Sequence, residues 1–319
     1  MRKALAFQDE MTQALGTCVF DVTLDCEDGA PVGGENDHAL MVSALVSKGR
    51  VATENAVNSV AQRVAVRVHP VDHPAFEQDV QIVLGDAAAH WSHLMLPKVD
   101  SVADVDRALQ VIDAALATSG RTRALPIHVL IESPLAVHQA ASIAAHPRVE
   151  SLSFGLMDFV SAHGGAIPAS AMSVGGLGSA DGNDQFSHPL VVRAKLEISA
   201  ACHAFGKVPS HCVVTEYKRS EVIQAAAQRA SRELGFTRMW SIHPDQIRPI
   251  LAAFTPAQSE VDQASHIICA AQAAGWAPIS VAGTLHDRAS FRYFWQVLEK
   301  AHQTARLDRQ DPAYRYFAC

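Results

Sequence analysis

Several short apolar segments of this chain give their last positions to residues that can do acid, base or metal chemistry. "VFDVTLDCED" closes on Asp25, Glu27 and Asp28, and "VAVRVH" on Arg67 and His69. "LMLPKV" carries Lys98, "VLIES" carries Glu132, and "FGLMD" carries Asp158. Glu132 and Asp158 are one strand-plus-helix unit apart. They therefore belong to adjacent strands, which run about 4.8 Å from each other, close enough for two carboxylates to share one ion. No cysteine and no ligand-spaced histidine accompanies them. An all-oxygen pair of this kind suits a hard cation: Mg²⁺, which leaves several positions open for water and substrate oxygens, with Mn²⁺ as the alternative. A strand end is also where a charge costs least, so any one of these residues alone could simply be solvated. Such residues at five strand ends in one register are poorly explained that way.

The elements that must position them are strands alternating with amphipathic helices from about residue 17 to 255. Strand composition marks 17–25, 63–69, 92–99, 126–133, 149–158, 211–216 and 238–244, short and rich in Val and Ile. Helical periodicity lies between them, as in "SVADVDRALQVIDAALATSG" and "SEVIQAAAQRASRELG", each closed by a glycine. Serial βα units predict a parallel sheet covered on both faces. No Gly-x-Gly-x-x-Gly follows the first strand. The expected fold is a TIM-type (β/α)8 barrel over residues 1–255, in which every strand's C-terminal end opens on one active face. Seven strands are legible. An eighth is expected near the N-terminus, but residues 2–15 read as helix. Residues 256–319 form a helical extension, with helices at about 257–275 and 288–305.

Other features narrow the class. The net charge of −7 and the lack of a basic tract argue against nucleic acid. No apolar stretch nears the roughly 20 residues that span a bilayer, and "MRKALAFQDEMTQ" lacks a secretory apolar region. Six cysteines without paired spacing predict reduced thiols and a cytoplasmic setting. "SVGGLGSADGNDQF" (173–186) reads as a flexible lid, and "IHPDQI" as a strand-to-helix turn with Pro244 at the first helical position. Lys98 can hold a substrate carboxylate or pair with a neighbouring acid.

Taken in order, "LDCED", "VRVH", "LPKV", "LIES", "FGLMD", "SIHPDQI" and "AGTLHD" resemble the citrate lyase beta-subunit and malyl-CoA lyase family. The resemblance implies a magnesium-dependent carbon–carbon lyase on a barrel with a C-terminal helical extension. It implies Glu132 and Asp158 as metal ligands, Arg67 as the cation at the substrate oxyanion, and Asp287 as the acid of the extension. Glu27 and Asp28 resemble the acids that hold metal-bound water. A coenzyme A thioester or a small carboxylic acid is the implied substrate, and a homo-oligomer, trimer or hexamer, the implied assembly. The stripe of Phe291, Phe294, Trp295 and Leu298 behind Asp287 is then expected against a neighbouring subunit's barrel mouth.

The sequence also departs from the family. Its opening strand with a Pro-Gly turn has no counterpart here, His69 replaces an Asn, and Arg238-Met239 replaces Gly-Lys. Two alternatives stay open: an aldolase using a free pyruvate or oxaloacetate enolate without coenzyme A, and a non-catalytic carboxylate-binding subunit on the same scaffold.

Overall fold

The computed structural model describes residues 1–53, 62–85, 87–121, 123–175 and 183–318. Helix α1 (Arg2–Leu15) leads into β1 (Val22–Asp25) and α2 (Glu35–Thr53). Then follow β2 (Val64–Arg67), α3 (Phe76–Val83), β3 (His93–Leu96), α4 (Val102–Ser119), β4 (Ile127–Ile131), α5 (Pro134–Ala145) and β5 (Val149–Phe154). The short α6 (Leu156–Ser161), α7 (Pro189–Ala204), β6 (Val208–His211), α8 (Ser220–Arg232), β7 (Arg238–Met239) and α9 (Ile247–Phe254) complete the alternation. All seven strands are parallel and lie in chain order. The expected α/β frame is thus present as a curled seven-stranded sheet.

Local chemistry explains the helix limits. Asp104 accepts the backbone N–H of Ser101 at 2.8 Å at the start of α4, and Gly120 ends that helix at φ 75°. Ser133 caps α5 by accepting the N–H of Ala136, with Pro134 at the first helical position. Outward-facing strand residues such as Leu24, Val66, Leu94, Val129 and Leu152 are fully buried beneath these helices. Burial of each such side chain contributes about 1.5–3 kcal/mol. The inner face differs from the bulky aliphatic filling usual in such barrels. It carries Thr23, His93, His128, Ser153 and Ser210 around a cavity of about 1100 Å³.

Four expectations are corrected. No eighth strand closes the sheet among the described residues. Instead the Asp21 carboxylate spans the seam between β1 and β7, 2.7 Å from Arg63 and 2.7 Å from Arg238. Strand β6 is Val208–His211, because beyond it the carbonyls of Val213 and Val214 accept side-chain amides of Gln185 (3.4 Å) and Gln246 (2.7 Å) instead of a ladder. Asp158 lies in the first turn of α6, since the chain turns at Gly155. The fourth concerns the extension, where α10 (Gln258–Ala273), a hairpin of β8 (Ile279–Val281) and β9 (Thr284–His286), and α11 (Arg288–Gln303) form a second apolar cluster. Phe291 and Leu298 are buried there against Val261, Ala264 and Ile268, with Phe294 and Trp295 packed alongside. The stripe on α11 therefore finds its cover within its own chain. Residues 176–182 of the expected lid lie outside the described residues.

Candidate active site

The strand-end residues assemble around Arg67. At the end of β1 the Asp25 carboxylate accepts the N–H groups of Glu27 (3.0 Å) and Gly29 (2.9 Å), which folds the turn back on itself. Arg67, at the end of β2, meets that carboxylate as a two-pronged fork: Nε donates to Oδ1 at 2.8 Å and Nη2 to Oδ2 at 2.7 Å. Nη2 also reaches Asp28 at 3.2 Å, and Nη1 lies 2.7 Å from Glu27 Oε2. The Trp240 ring covers one face of the guanidinium at 5.6 Å. The other Glu27 oxygen accepts Lys98 Nζ at 2.8 Å.

Lys98 joins this cluster to Glu132. Its backbone adopts φ 51°, a left-handed conformation disfavoured for lysine. Its N–H thereby points at Glu132 Oε1, 3.3 Å away. Glu132 is 5% exposed. The next residue, Ser133, donates its hydroxyl to Asp100, which ties the end of β4 to the turn after β3. Gly155 leaves the room Glu132 needs, because a Cβ there would lie 2.5 Å from the glutamate Cγ.

Electrostatics separate the carboxylates. The Glu132 carboxyl is pushed up to about 8, first by burial and then by the negative charge of Asp158. Burial also opposes ionisation of Asp25, but the hydrogen bonds and charge of Arg67 outweigh it and hold Asp25 below the usual carboxylate range. The Lys98 ammonium is likewise raised: its bond to Glu27 outweighs desolvation.

The sequence-derived candidates thus fall into two places. Asp25, Glu27, Asp28, Arg67, Lys98, Glu132 and Asp158 form one group. Asp287 stands apart in this chain, exposed, with Oδ1 accepting the N–H groups of Ala289 (2.9 Å) and Ser290 (3.4 Å) at the start of α11. His69 also leaves the group, since its N–H and Nδ1 both engage buried Asp79, at 3.0 and 2.6 Å. Sequence reasoning missed the fork on Asp25, the Trp240 cover and the need for Gly155. Only Gly155 left a signal, as a glycine straight after a strand beside the one ending in Glu132.

This donor set fits a hard divalent cation. Five carboxylates face two permanent cations, Arg67 and Lys98, and one acid is held protonated at neutral pH. Glu27 Oε2 is buried in ion-pair contact yet receives no directed hydrogen bond. Among the described residues no three His, Cys, Asp or Glu side chains converge on one point. Two protein carboxylates, with water and substrate at the other positions, are a usual Mg²⁺ arrangement.

Residues 4–244 match the family model described as HpcH/HpaI aldolase/citrate lyase. The chain belongs to this family. Among curated members, the L-malyl-CoA/beta-methylmalyl-CoA lyase of Cereibacter sphaeroides is 29% identical over 293 residues, covering 88% of this chain and 86% of that protein. A solved citrate lyase from Burkholderia xenovorans LB400 is 46% identical with a TM-score of 0.80, covering 98% of this chain and 92% of its own. The Mycobacterium tuberculosis CitE structure in complex with magnesium, acetoacetate and coenzyme A has a similar fold at 20% identity. Its TM-score is 0.64, with 93% of this chain and 95% of that one covered. Among the described residues no helix is long and apolar enough to cross a membrane.

Proposed function

We propose that this chain is a magnesium-dependent carbon–carbon lyase that cleaves or forms a β-hydroxy acid as its coenzyme A thioester. The observation that carries the reading is the pairing of buried Glu132 with exposed Asp158, joined through Lys98 and Glu27 to the Arg67 fork. The lyase relatives from Cereibacter and Burkholderia support the reaction class, and the magnesium complex of CitE supports the ion. Glu132 and Asp158 would hold Mg²⁺, while Glu27 and Asp28 would hold its water. When bound, the ion supplies a Lewis acid that polarises the carbonyl being released or attacked.

The chain's own residues then have defined tasks. Arg67 stabilises negative charge on the enolate oxygen, a role worth about 2.7–4 kcal/mol for one well-placed donor. Its planar fork is held by Asp25 from one edge and covered by Trp240 on one face, so little reorganisation is needed. Lys98 pairs with Glu27 at 2.8 Å and can take a substrate carboxylate. A proton must still reach or leave the α-carbon. We assign that transfer to Asp287 of a second copy in a homo-oligomer, with residues 256–319 as the extension that presents it. Its exposed carboxylate is compatible with such a role.

A thermal-shift screen of acyl-CoAs and free 2-oxo acids, with and without Mg²⁺, tests the reading, because ligands of the native state raise the midpoint. Acyl-CoA and Mg²⁺ together should give the largest shift. A shift from Mg²⁺ with free oxo acids alone would replace the thioester reading with a coenzyme A-independent aldolase. No Mg²⁺ response at all would overturn the proposal.

A further inference from the structure

The motif "IHPDQI" does more than turn a strand into a helix. Its Gln246 is 1% exposed, and the side-chain amide joins the loops that follow β6 and β7. Nε2 donates to the carbonyls of Val214 and Glu216, both at 2.7 Å. Oε1 accepts the N–H groups of Ile242 at 2.9 Å and His243 at 3.3 Å. Two donors and two acceptor sites are all that an amide has, so the group is saturated. It cannot be turned over, because one side meets carbonyls and the other N–H groups. One side chain thus pairs four backbone groups that lie beyond the ends of the ladder.

The segment fixed in this way begins at Trp240. The Trp240 N–H donates to the carbonyl of His211 on β6 at 3.0 Å. Just after it, the Ser241 hydroxyl donates to the His243 carbonyl at 2.8 Å, closing a turn whose N–H groups end on Gln246. Trp240 is therefore held from both sides, by the strand contact before it and by the Gln246 amide after it. In that place its ring covers the Arg67 guanidinium at 5.6 Å. Asp25, Glu27 and Asp28 meet the N–H groups of Arg67, which lie in the guanidinium plane. The ring acts on the face instead, where it attracts the cation and limits the approach of water.

We propose that Gln246 is a positioning residue for the site around Arg67: by tying the β7 loop to the β6 loop, it seats Trp240 on the guanidinium. Its value to the reaction rests on the role given above to Arg67 at the enolate oxygen. Removing the amide leaves buried carbonyls of Val214 and Glu216 without partners, a cost that the two loops relieve by parting to admit water. Trp240 then loses its support on one side, and the face of Arg67 hydrates. A hydrated cation stabilises developing charge less well than one held in a dry, fixed setting. Glu132 and Asp158, after β4 and β5, lie outside this tie.

The test uses the whole chain labelled with fluorotryptophan, whose four tryptophans give separate fluorine resonances. Trp240→Phe identifies the Trp240 signal. Gln246→Met keeps the side-chain length without its hydrogen bonds. It should move the Trp240 signal toward that of the free amino acid and leave those of Trp91, Trp276 and Trp295 in place. Solvent exchange of the Arg67 Nε–H should quicken about fivefold or more, while the amides of Leu130 and Leu152 keep their protection, which separates loosening of this wall from a general loss of stability. Trp240→Ala should quicken the same exchange, and adding Gln246→Met to it should change nothing further. Gln246→Asn, too short to reach both loops, serves the same test if the Met variant does not fold. An unmoved Trp240 signal or unchanged Arg67 exchange would overturn the proposal, and additive effects in the double variant would overturn the route through Trp240. None of these readouts needs substrate or Mg²⁺, so their failure is distinct from failure of the lyase reading.

Discussion

If Glu132 holds Mg²⁺ as proposed, its raised pKa makes binding of the ion a proton-releasing event. In the metal-free chain Glu132 titrates at about 8, because it is buried and faces the charge of Asp158. A divalent ion needs the ionised form, so binding at neutral pH must expel one proton. The population of ionised Glu132 is about one tenth at pH 7, about 1% at pH 6 and about three quarters at pH 8.5. Apparent Mg²⁺ affinity should therefore rise roughly 75-fold from pH 6 to pH 8.5 and then level off. Calorimetric titration in two buffers of different ionisation enthalpy measures the released proton directly, close to one per ion at pH 7 and near zero at pH 9. Glu132→Gln should weaken binding and remove most of this pH dependence. Affinity that is flat between pH 6 and 8.5, or binding without proton release at pH 7, would refute the reasoning. It would mean that Glu132 is already ionised or is not a ligand.

Further outcomes follow from individual contacts. Arg67→Lys keeps the charge but not the fork that grips Asp25, Glu27 and Asp28, so kcat should fall about 100- to 1000-fold with a smaller change in KM, read by steady-state kinetics. Gly155→Ala introduces a Cβ 2.5 Å from Glu132 Cγ at an unstrained φ of −90°, and should weaken Mg²⁺ about 10- to 100-fold by displacing the carboxylate, read by titration. Burial holds His93 down to about 4, so it stays neutral when folded while its unfolded form takes a proton below about 6.5. Stability from this group is therefore lost as pH falls from about 6.5 toward 4, by up to about 3 kcal/mol. His93→Gln should flatten the urea-measured slope by about one proton relative to the parent, a difference in which the opposite slope from Glu132 cancels. Mixing separately inactive Asp287→Asn and Glu132→Gln subunits should restore activity after dissociation and reassembly, and mixtures that stay inactive would confine Asp287 to its capping role.

The sequence was most legible where one physical rule governed. Alternating βα composition gave the parallel frame, since fully covered strands must be apolar on their outer face. Spacing placed Glu132 and Asp158 on neighbouring units, and the structure brings them within electrostatic reach. Legibility failed where side chains replaced backbone partners. "HCVVTE" has strand composition, but its carbonyls go to Gln185 and Gln246, and the ladder instead uses the unpromising "VPSH". The Arg67 fork could not be read either, because the choice of Asp25 over its neighbours depends on the turn that Asp25 itself folds through Glu27 and Gly29. The α11 stripe had to be buried, but periodicity cannot say against what, and α10 of the same chain supplied the partner.

The arrangement of the site also decides which part of the barrel can move without disturbing the chemistry. Contacts run from strand end to strand end in one direction: Asp25 of β1 to Arg67 of β2, Glu27 to Lys98 after β3, Lys98 to Glu132 after β4, and Glu132 against Gly155 after β5. Each link crosses to a near neighbour in the sheet, so these five strands hold the charged group as one unit. The seam lies beside β1, at the end of this chain of contacts far from Glu132, and Asp25 and Arg67 are the members of the charged group that line its cavity among the described residues, next to Trp240. A change at the seam therefore acts on the Arg67 fork while the Glu132 and Asp158 pair keeps its own support. On the role proposed for Arg67, opening the seam should alter kcat far more than Mg²⁺ affinity. A seam perturbation that changes metal affinity and leaves turnover intact would show that the two halves of the site are coupled by a route other than these contacts.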